Sequence, residues 1–288
     1  MAVIVVVLCA ALVGAVVVAL LSLRLPNFDP AAPRASAKTI TKEVADHAGA
    51  RTLLRSRLDA ETLTGLALTI GLAIVLLGVV AAGALLVMVQ HNAGLARYDL
   101  SAARWGASHA TSGSTRFLKD VSFLGGTEAM ILFTVIAAVV EYLRTRKWAV
   151  VSFLSVVIIG EVILQNVTKV IVNRDRPNIH RLTGFSSSSF PSGHAMTAAA
   201  VFAAIALLVG RGRSPRTKAV LAGAAAGIAV AVATTRVFLG VHWLTDVIAG
   251  LAMGWAWFAI CSIAFGGRVL SFGQPVVIAE AESVRTSV

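Results

Sequence analysis

The chain has 288 residues, 57% of them hydrophobic and 14% charged, with a formal net charge of +11 and a mean hydropathy of +0.84. Soluble domains carry about 25% charged residues, so there are too few polar side chains here to cover a water-facing globule of this size. The basic residues sit in short clusters between long apolar runs, the pattern of a membrane protein, which excludes an ordinary cytoplasmic enzyme, a disordered protein and a nucleic-acid-binding module.

Crossing a hydrocarbon core takes roughly 20 helical residues. Seven spans are expected in chain order, at 2–23, 63–90, 121–142, 148–171, 194–210, 219–235 and 243–265. Each must be a helix, because only a helix satisfies its own backbone amides inside the bilayer. The fold class is therefore all-α, a polytopic membrane protein. The first span has no basic residue ahead of it and no small-residue cleavage site, so it reads as an uncleaved N-terminal transmembrane anchor with its start outside. Residues 24–62 mix acids and bases after early prolines and read as a cytoplasmic linker with a surface helix near 40–60. Residues 91–120 hold Trp105, Phe117 and several Ser, Thr and Gly; a solvated loop is preferred over an amphipathic element on the outer interface. Residues 266–288 are expected to be a flexible cytoplasmic tail. Cys9 and Cys261 lie in apolar runs and read as small core or lipid-facing residues, not as a disulfide or a metal site.

Loop cations set the orientation. Arg24, Arg34, Lys38, Lys42, Arg51, Arg55 and Arg57, then Arg144, Arg146 and Lys147, then Arg211, Arg213, Arg216 and Lys218 fall on one side, which is placed in the cytoplasm. Lys169, Arg174, Arg176, Arg181 and Arg236 fall on the other side, against the rule, and need another explanation.

Three clusters share that outer side: Lys169 with Arg176 and Pro177; Pro191, Ser192, Gly193 and His194; and Thr235 and Arg236 followed by His242 and Asp246. Lys169 and Arg176 are seven apart, two helical turns, with Pro177 expected to stop the helix. Alone they also fit a snorkelling pair. Ser192 suits a helix N-cap, and the amides of 192–194 then form an anion site, although a plain cap with an incidental histidine reads equally well. His242 and Asp246, at i and i+4, share a helix face, where a carboxylate fixes the imidazole tautomer. Each cluster alone has a structural explanation. Together they bring two histidines, three long cations, a helix N-terminus and an acid to one membrane face, enough to clamp and attack a tetrahedral dianion.

These clusters resemble the three-part signature of the type 2 phosphatidic acid phosphatase (PAP2) superfamily, K-x6-RP, PSGH and SR-x5-H-x3-D, at every spacing over residues 169–246; Thr235 replaces the usual serine, with little effect expected. The resemblance implies a six-helix phosphatase domain over 63–265 with the first span added to it. It implies His242 as a nucleophile forming a phosphohistidine, Asp246 as its orienting carboxylate and His194 as the acid and then the base. Lys169, Arg176, Ser192, Gly193 and Arg236 would bind the phosphate oxygens. It implies no cofactor and no metal, and a partner list of lipid bilayer and lipid phosphate without nucleic acid. The substrate it favours is a polyprenyl diphosphate at the extracytoplasmic face, with phosphatidic acid or phosphatidylglycerol phosphate as alternatives. A lipid phosphotransferase and, outside enzymes, an anion transporter are the rival functions.

Four further polar residues lie in apolar runs. Glu161 and Gln165 form a stripe with Lys169 that either lines the pocket or, preferably, bonds neighbouring helices. Glu128 is expected at the interface, and Asn166 has no assigned role. His47, His91, His109 and His180 lack motif context. Arg174 is expected at most to draw anions toward the loop.

Overall fold

A computed structural model describes residues 1–24, 63–179, 181–184 and 187–265. Its helices are α1 (Ala2–Arg24), α2 (Leu63–Gln90), α3 (Asp99–Ser108), α4 (Ser112–Phe123), α5 (Thr127–Thr145), α6 (Trp148–Val172), α7 (Gly193–Gly210), α8 (Pro215–Phe238) and α9 (Leu244–Phe265), with a 3-10 turn at Gly94–Tyr98. Six of them are long and apolar enough to cross a membrane, and the α4–α5 pair, bent by 44°, makes a seventh crossing if counted as one span. The expected linker beyond Arg24, the surface helix expected near 40–60 and the expected tail fall outside the described residues.

Inside lipid, helices gain little hydrophobic energy from meeting, so close packing of small residues holds them together. Helix α7 follows that rule. Ala195, Ala198, Ala199, Ala200 and Ala204 are all buried, and Gly250 and Gly254 of α9 press on the carbonyls of Ser192 and Met196. A second stripe, Gly223 and Gly227 of α8, receives Ala11, Ala15 and Ala19 of α1. Larger side chains fill the remaining space: Met130, Phe153, Leu154 and Val157 pack on Ala200, Val201, Leu208 and Cys261. Leu12, Leu76, Leu77, Ile131, Leu132 and Ile163 face outward, as a lipid-facing surface requires. Cys9 is exposed and Cys261 buried, both free.

These contacts also give direction. Gly14 meets Val230 while Gly223 meets Ala19, so α1 and α8 are antiparallel. Gly71 meets Ile263 while Gly78 meets Ala252 and Ala256, so α2 and α9 are antiparallel too. One end of the bundle therefore gathers Met1, the C-terminus of α2, helices α3 and α4, and the ends of α5–α9 that flank the three clusters. The other end carries the 145–148 and 210–215 turns. There Glu141, buried, pairs with Arg144 at 2.9 Å and Arg211 at 2.6 Å, and Ser214 caps α8 ahead of Pro215.

Three expectations change. Residues 91–120 are folded, not a solvated loop. A capping box at Thr111 and Ser114 starts α4, Leu118 is buried, and Gly106 backs directly onto Phe238. The third span does not run unbroken from 121: Gly125 and Gly126 turn the chain between α4 and α5. Finally, Pro177 does not end α6. Asn173 does, in the left-handed conformation (φ 42°), which Asn tolerates better than most residues.

Candidate active site

Because α6 stops at Val172, Lys169 is helical and Arg176 is not. Their convergence comes from the loop, not from a shared helical face. The loop is laced to the motif segments by backbone bonds: Ser189 N donates to Arg174 O (2.8 Å), Ser192 N to Asp246 O (3.0 Å) and Leu182 N to Leu239 O (3.0 Å). Arg176 ties it further, donating through Nε to Ser187 O (2.7 Å) and through Nη1 to Val241 O (2.6 Å). Lys169 Nζ reaches Ser187 Oγ at 3.2 Å.

His242 sits in the short turn between α8 and α9, 2% exposed. Its Nε2 lies 3.2 Å from Arg176 Nη1. A guanidinium can only donate, so Nε2 carries the lone pair and Nδ1 the proton. That proton faces Asp246 Oδ2, with Nδ1 3.5 Å away. Burial pushes the His242 pKa down to about 4, against the opposing pull of Asp246, with Arg176 and Arg236 adding to the depression. The imidazole is neutral at physiological pH. Burial, helped by Arg181 and opposed by Asp246, also draws Arg176 below the ordinary guanidinium value.

Asp246 is the third residue of α9. Its carboxylate accepts from Trp243 N at 2.9 Å, closing the helix start, and from Ser189 Oγ and Arg174 Nη1. Each of its oxygens therefore has a donor besides His242.

His194 opens α7 opposite the Gly125–Gly126 turn. A Cβ at Gly126 would stand 3.8 Å from His194 Nε2, and one at Gly125 would meet His194 O at 2.9 Å. Arg236, Lys169, Arg176 and His242 all lie within electrostatic reach of its ring. Arg236 is buried and donates through Nη1 to Ser122 Oγ of α4 (2.8 Å). Thr235, the departure from the usual serine, turns its hydroxyl back onto Val232 O (2.6 Å) and does not enter the site.

Ser192 stands at the N-cap of α7, yet its side chain caps nothing. Its Oγ and Arg236 Nε are buried without a hydrogen-bond partner among the described residues. Buried polar atoms are nearly always paired in folded proteins, and these two belong to two separate motif segments. A Cβ on Gly193 would fall 2.1 Å from Gln165 Oε1 and 3.5 Å from Lys169 Nζ, so a larger residue would have to push Gln165 aside. Gln165 thus lies beneath the site. Glu161, one turn deeper and fully buried, faces Thr197 of the neighbouring α7. Glu128 is exposed in the first turn of α5, and Asn166 bonds Val162 O of its own helix. His91 and His109 are exposed, His109 stacked on Trp105; His47 and His180 lie outside the described residues.

The structure therefore gathers Lys169, Arg176, Ser192, Gly193, His194, Arg236, His242 and Asp246 at one end of the bundle. It adds residues not singled out in the sequence: Asp99, Ser122, Gly125, Gly126, Ser187 and Ser189. Only the two adjacent glycines carried a signal, as a break in an apolar run.

Fold and site together define a helical integral-membrane phosphatase. The model of the PAP2 superfamily matches residues 148–269, helices α6–α9 with all three clusters. The chain is 32% identical over 143 residues to phosphatidylglycerophosphatase B of Bacillus subtilis (strain 168), covering 48% of this chain and 68% of that one. It is 34% identical over 140 residues to an undecaprenyl-diphosphatase of Sulfolobus acidocaldarius, covering 45% and 60%. It is 40% identical over 118 residues to a lipid A 1-phosphatase of Rhizobium johnstonii, covering 38% and 43%. The crystal structure of a transmembrane PAP2-type phosphatidylglycerolphosphate phosphatase from Bacillus subtilis superposes with a TM-score of 0.59 at 27% identity, over 66% of this chain and 93% of that one. The chain belongs to the PAP2 superfamily.

Proposed function

We propose that the protein is a lipid-phosphate phosphatase that works through a phosphohistidine on His242 at the extracytoplasmic face. The single observation that carries this is the pair of unpartnered buried donors, Ser192 Oγ and Arg236 Nε, at the same end of the bundle as a neutral imidazole whose Nε2 lone pair faces Arg176.

In the first step His242 Nε2 attacks the terminal phosphorus, its bond to the leaving oxygen (the ester oxygen of a monophosphate, the bridging oxygen of a diphosphate) breaks, and His194 gives that oxygen a proton. Asp246 holds Nδ1–H and stabilises the charge that forms on the ring. In the second step His194 takes a proton from water, the water oxygen attacks phosphorus, and the bond from Nε2 breaks to release phosphate. Lys169, Arg176, Arg236, Ser192 Oγ and the Gly193 amide hold the nonbridging oxygens and neutralise their charge. No metal enters these steps.

A polyprenyl diphosphate is the favoured substrate, because such a group is left outside after glycan transfer. Phosphatidylglycerol phosphate is the second reading, favoured by the Bacillus relative, of which this chain covers the larger share. Phosphate release from purified protein against both lipids and phosphatidic acid, in excess EDTA, tests the reading. His242→Ala is expected to release none while eluting as folded protein in detergent. Wild-type turnover by that variant, or strict dependence on added divalent metal, contradicts the mechanism. A phosphorylated acceptor in place of free phosphate would mark a phosphotransferase, and flux into liposomes without hydrolysis a transporter.

A further inference from the structure

We propose that Arg174 and Asp99 are positioning residues that set the Asp246 carboxylate against His242 and tether helix α3 to the catalytic turn. The proposal rests on His242 being the nucleophile.

Arg174 comes from the loop after α6, Asp99 from the first residue of α3, and Thr245 and Asp246 from the first turn of α9. The three segments meet at one guanidinium. Arg174 Nη2 donates to Asp99 Oδ2 at 2.7 Å. Nη1 donates to Thr245 Oγ1 at 2.8 Å and to Asp246 Oδ1. Asp99 closes the ring: Thr245 N donates to its Oδ1 at 2.8 Å, and Thr245 Oγ1 to its Oδ2 at 2.7 Å. The guanidinium also stacks 5.3 Å from the centroid of Trp243. Asp99 and Asp246 are both buried, 3% and 0% exposed.

Both Nη groups of Arg174 are thus committed to carboxylates and a hydroxyl, with none left to draw in an anion. One cation shared by two acids neutralises each only in part. Asp246 therefore keeps negative charge for the imidazole, and the fork fixes the plane of its carboxylate. With Asp99 neutral, the whole charge of Arg174 would fall on Asp246 and pull its electron density away from His242. Asp99 also pins the Thr245 amide, next to the residue that it positions.

The test measures kcat and KM for phosphate release by purified protein in detergent, with the best substrate of the three lipids above. The variants are Asp99→Asn, Arg174→Lys, the double variant, Thr245→Val and His242→Ala, each normalised to its folded fraction by gel filtration. Misplacing a catalytic group slightly costs on the order of 10–100-fold in rate. Asp99→Asn and Arg174→Lys are expected to lower kcat by about that factor with KM within roughly twofold, and the double variant to fall no further than the worse single one, as for residues acting through one network. Thr245→Val reports on the same network if either variant yields no folded protein, and is expected to lower kcat likewise. Wild-type kcat in the folded variants overturns the proposal, as does a raised KM with kcat intact, which would place Arg174 on the substrate. Additive losses in the double variant also count against it. If His242→Ala is inactive while these variants are fully active, this proposal alone fails. If His242→Ala retains turnover, the underlying reading fails first.

Discussion

At the scale of residues, His242 is held between a donor it must accept from and a carboxylate 3.5 Å from its other nitrogen, and that sandwich decides its tautomer. Its protonation follows from burial. An exposed histidine titrates near 6.5, whereas here the pKa is pushed down to about 4. On the proposed mechanism the active form is the neutral ring, which persists above the lowered value and is lost only as pH falls through it. The loss of kcat/KM caused by protonating His242 in the free enzyme is therefore expected near pH 4. A limb at the ordinary histidine value would contradict this assignment. The eight motif residues were legible because chemistry demands particular side chains at fixed spacings. Asp99, Ser122 and Ser189 were not, since one Asp or Ser in a polar stretch carries no mark of the partner it meets 146, 114 or 57 residues away. Arg174 was legible only as a charge. Its partners reveal an internal strut in place of the expected lure for anions.

At the scale of elements, the apolar runs located the helices, and the glycines decide how closely they approach. A Cβ on Gly254 would lie 2.4 Å from Met196 O, and one on Gly250 2.6 Å from Ser192 O, whereas one on Gly83 would meet nothing within 4 Å. Forcing bulk into a packed contact costs about 1–3 kcal/mol. Gly254→Leu is therefore expected to lower the unfolding midpoint in detergent and, by moving α9 away from α7, to lower kcat. Gly83→Ala is expected to change neither. Equal midpoints for the two variants would show that the α7–α9 approach is not held by its glycines. The helix ends were less legible. Asn173 ended α6 before the proline that was expected to do so, because a left-handed residue releases the chain as effectively as a missing amide. The polar 91–120 segment folded because α8 supplied a surface for it, and no local pattern announces such a surface.

At the scale of the whole molecule, every crossing is oriented by its neighbours, and the clusters, α3 and α4 share one end. The far end carries Arg144, Arg146, Lys147, Arg211, Arg213, Arg216 and Lys218, the balance expected of a cytoplasmic face. In a cysteine-free background, a cysteine at Gly212 is expected to react with a membrane-impermeant maleimide only after the cells are permeabilised. One at Gly113, exposed at the start of α4, is expected to react without that step. The reverse pattern would put the site on the inner face. The cations at the site end, which oppose the charge rule, are bound into structure: Arg174 to Asp99 and Asp246, Arg236 to Ser122, and Arg176 to the 187–188 carbonyls.

By itself the sequence determined the solvent this chain folds in, the rough limits of most of its apolar helices and the three clusters that the fold brings together. Those properties are carried by composition, by runs of about 20 residues and by short fixed spacings, all local along the chain. Tertiary structure alone decided which cations face the site and which brace it, what the turn after α4 sets against His194, and where α1 docks. Those outcomes depend on distances between segments far apart in sequence, set by close packing of small residues and by the need to pair every buried charge.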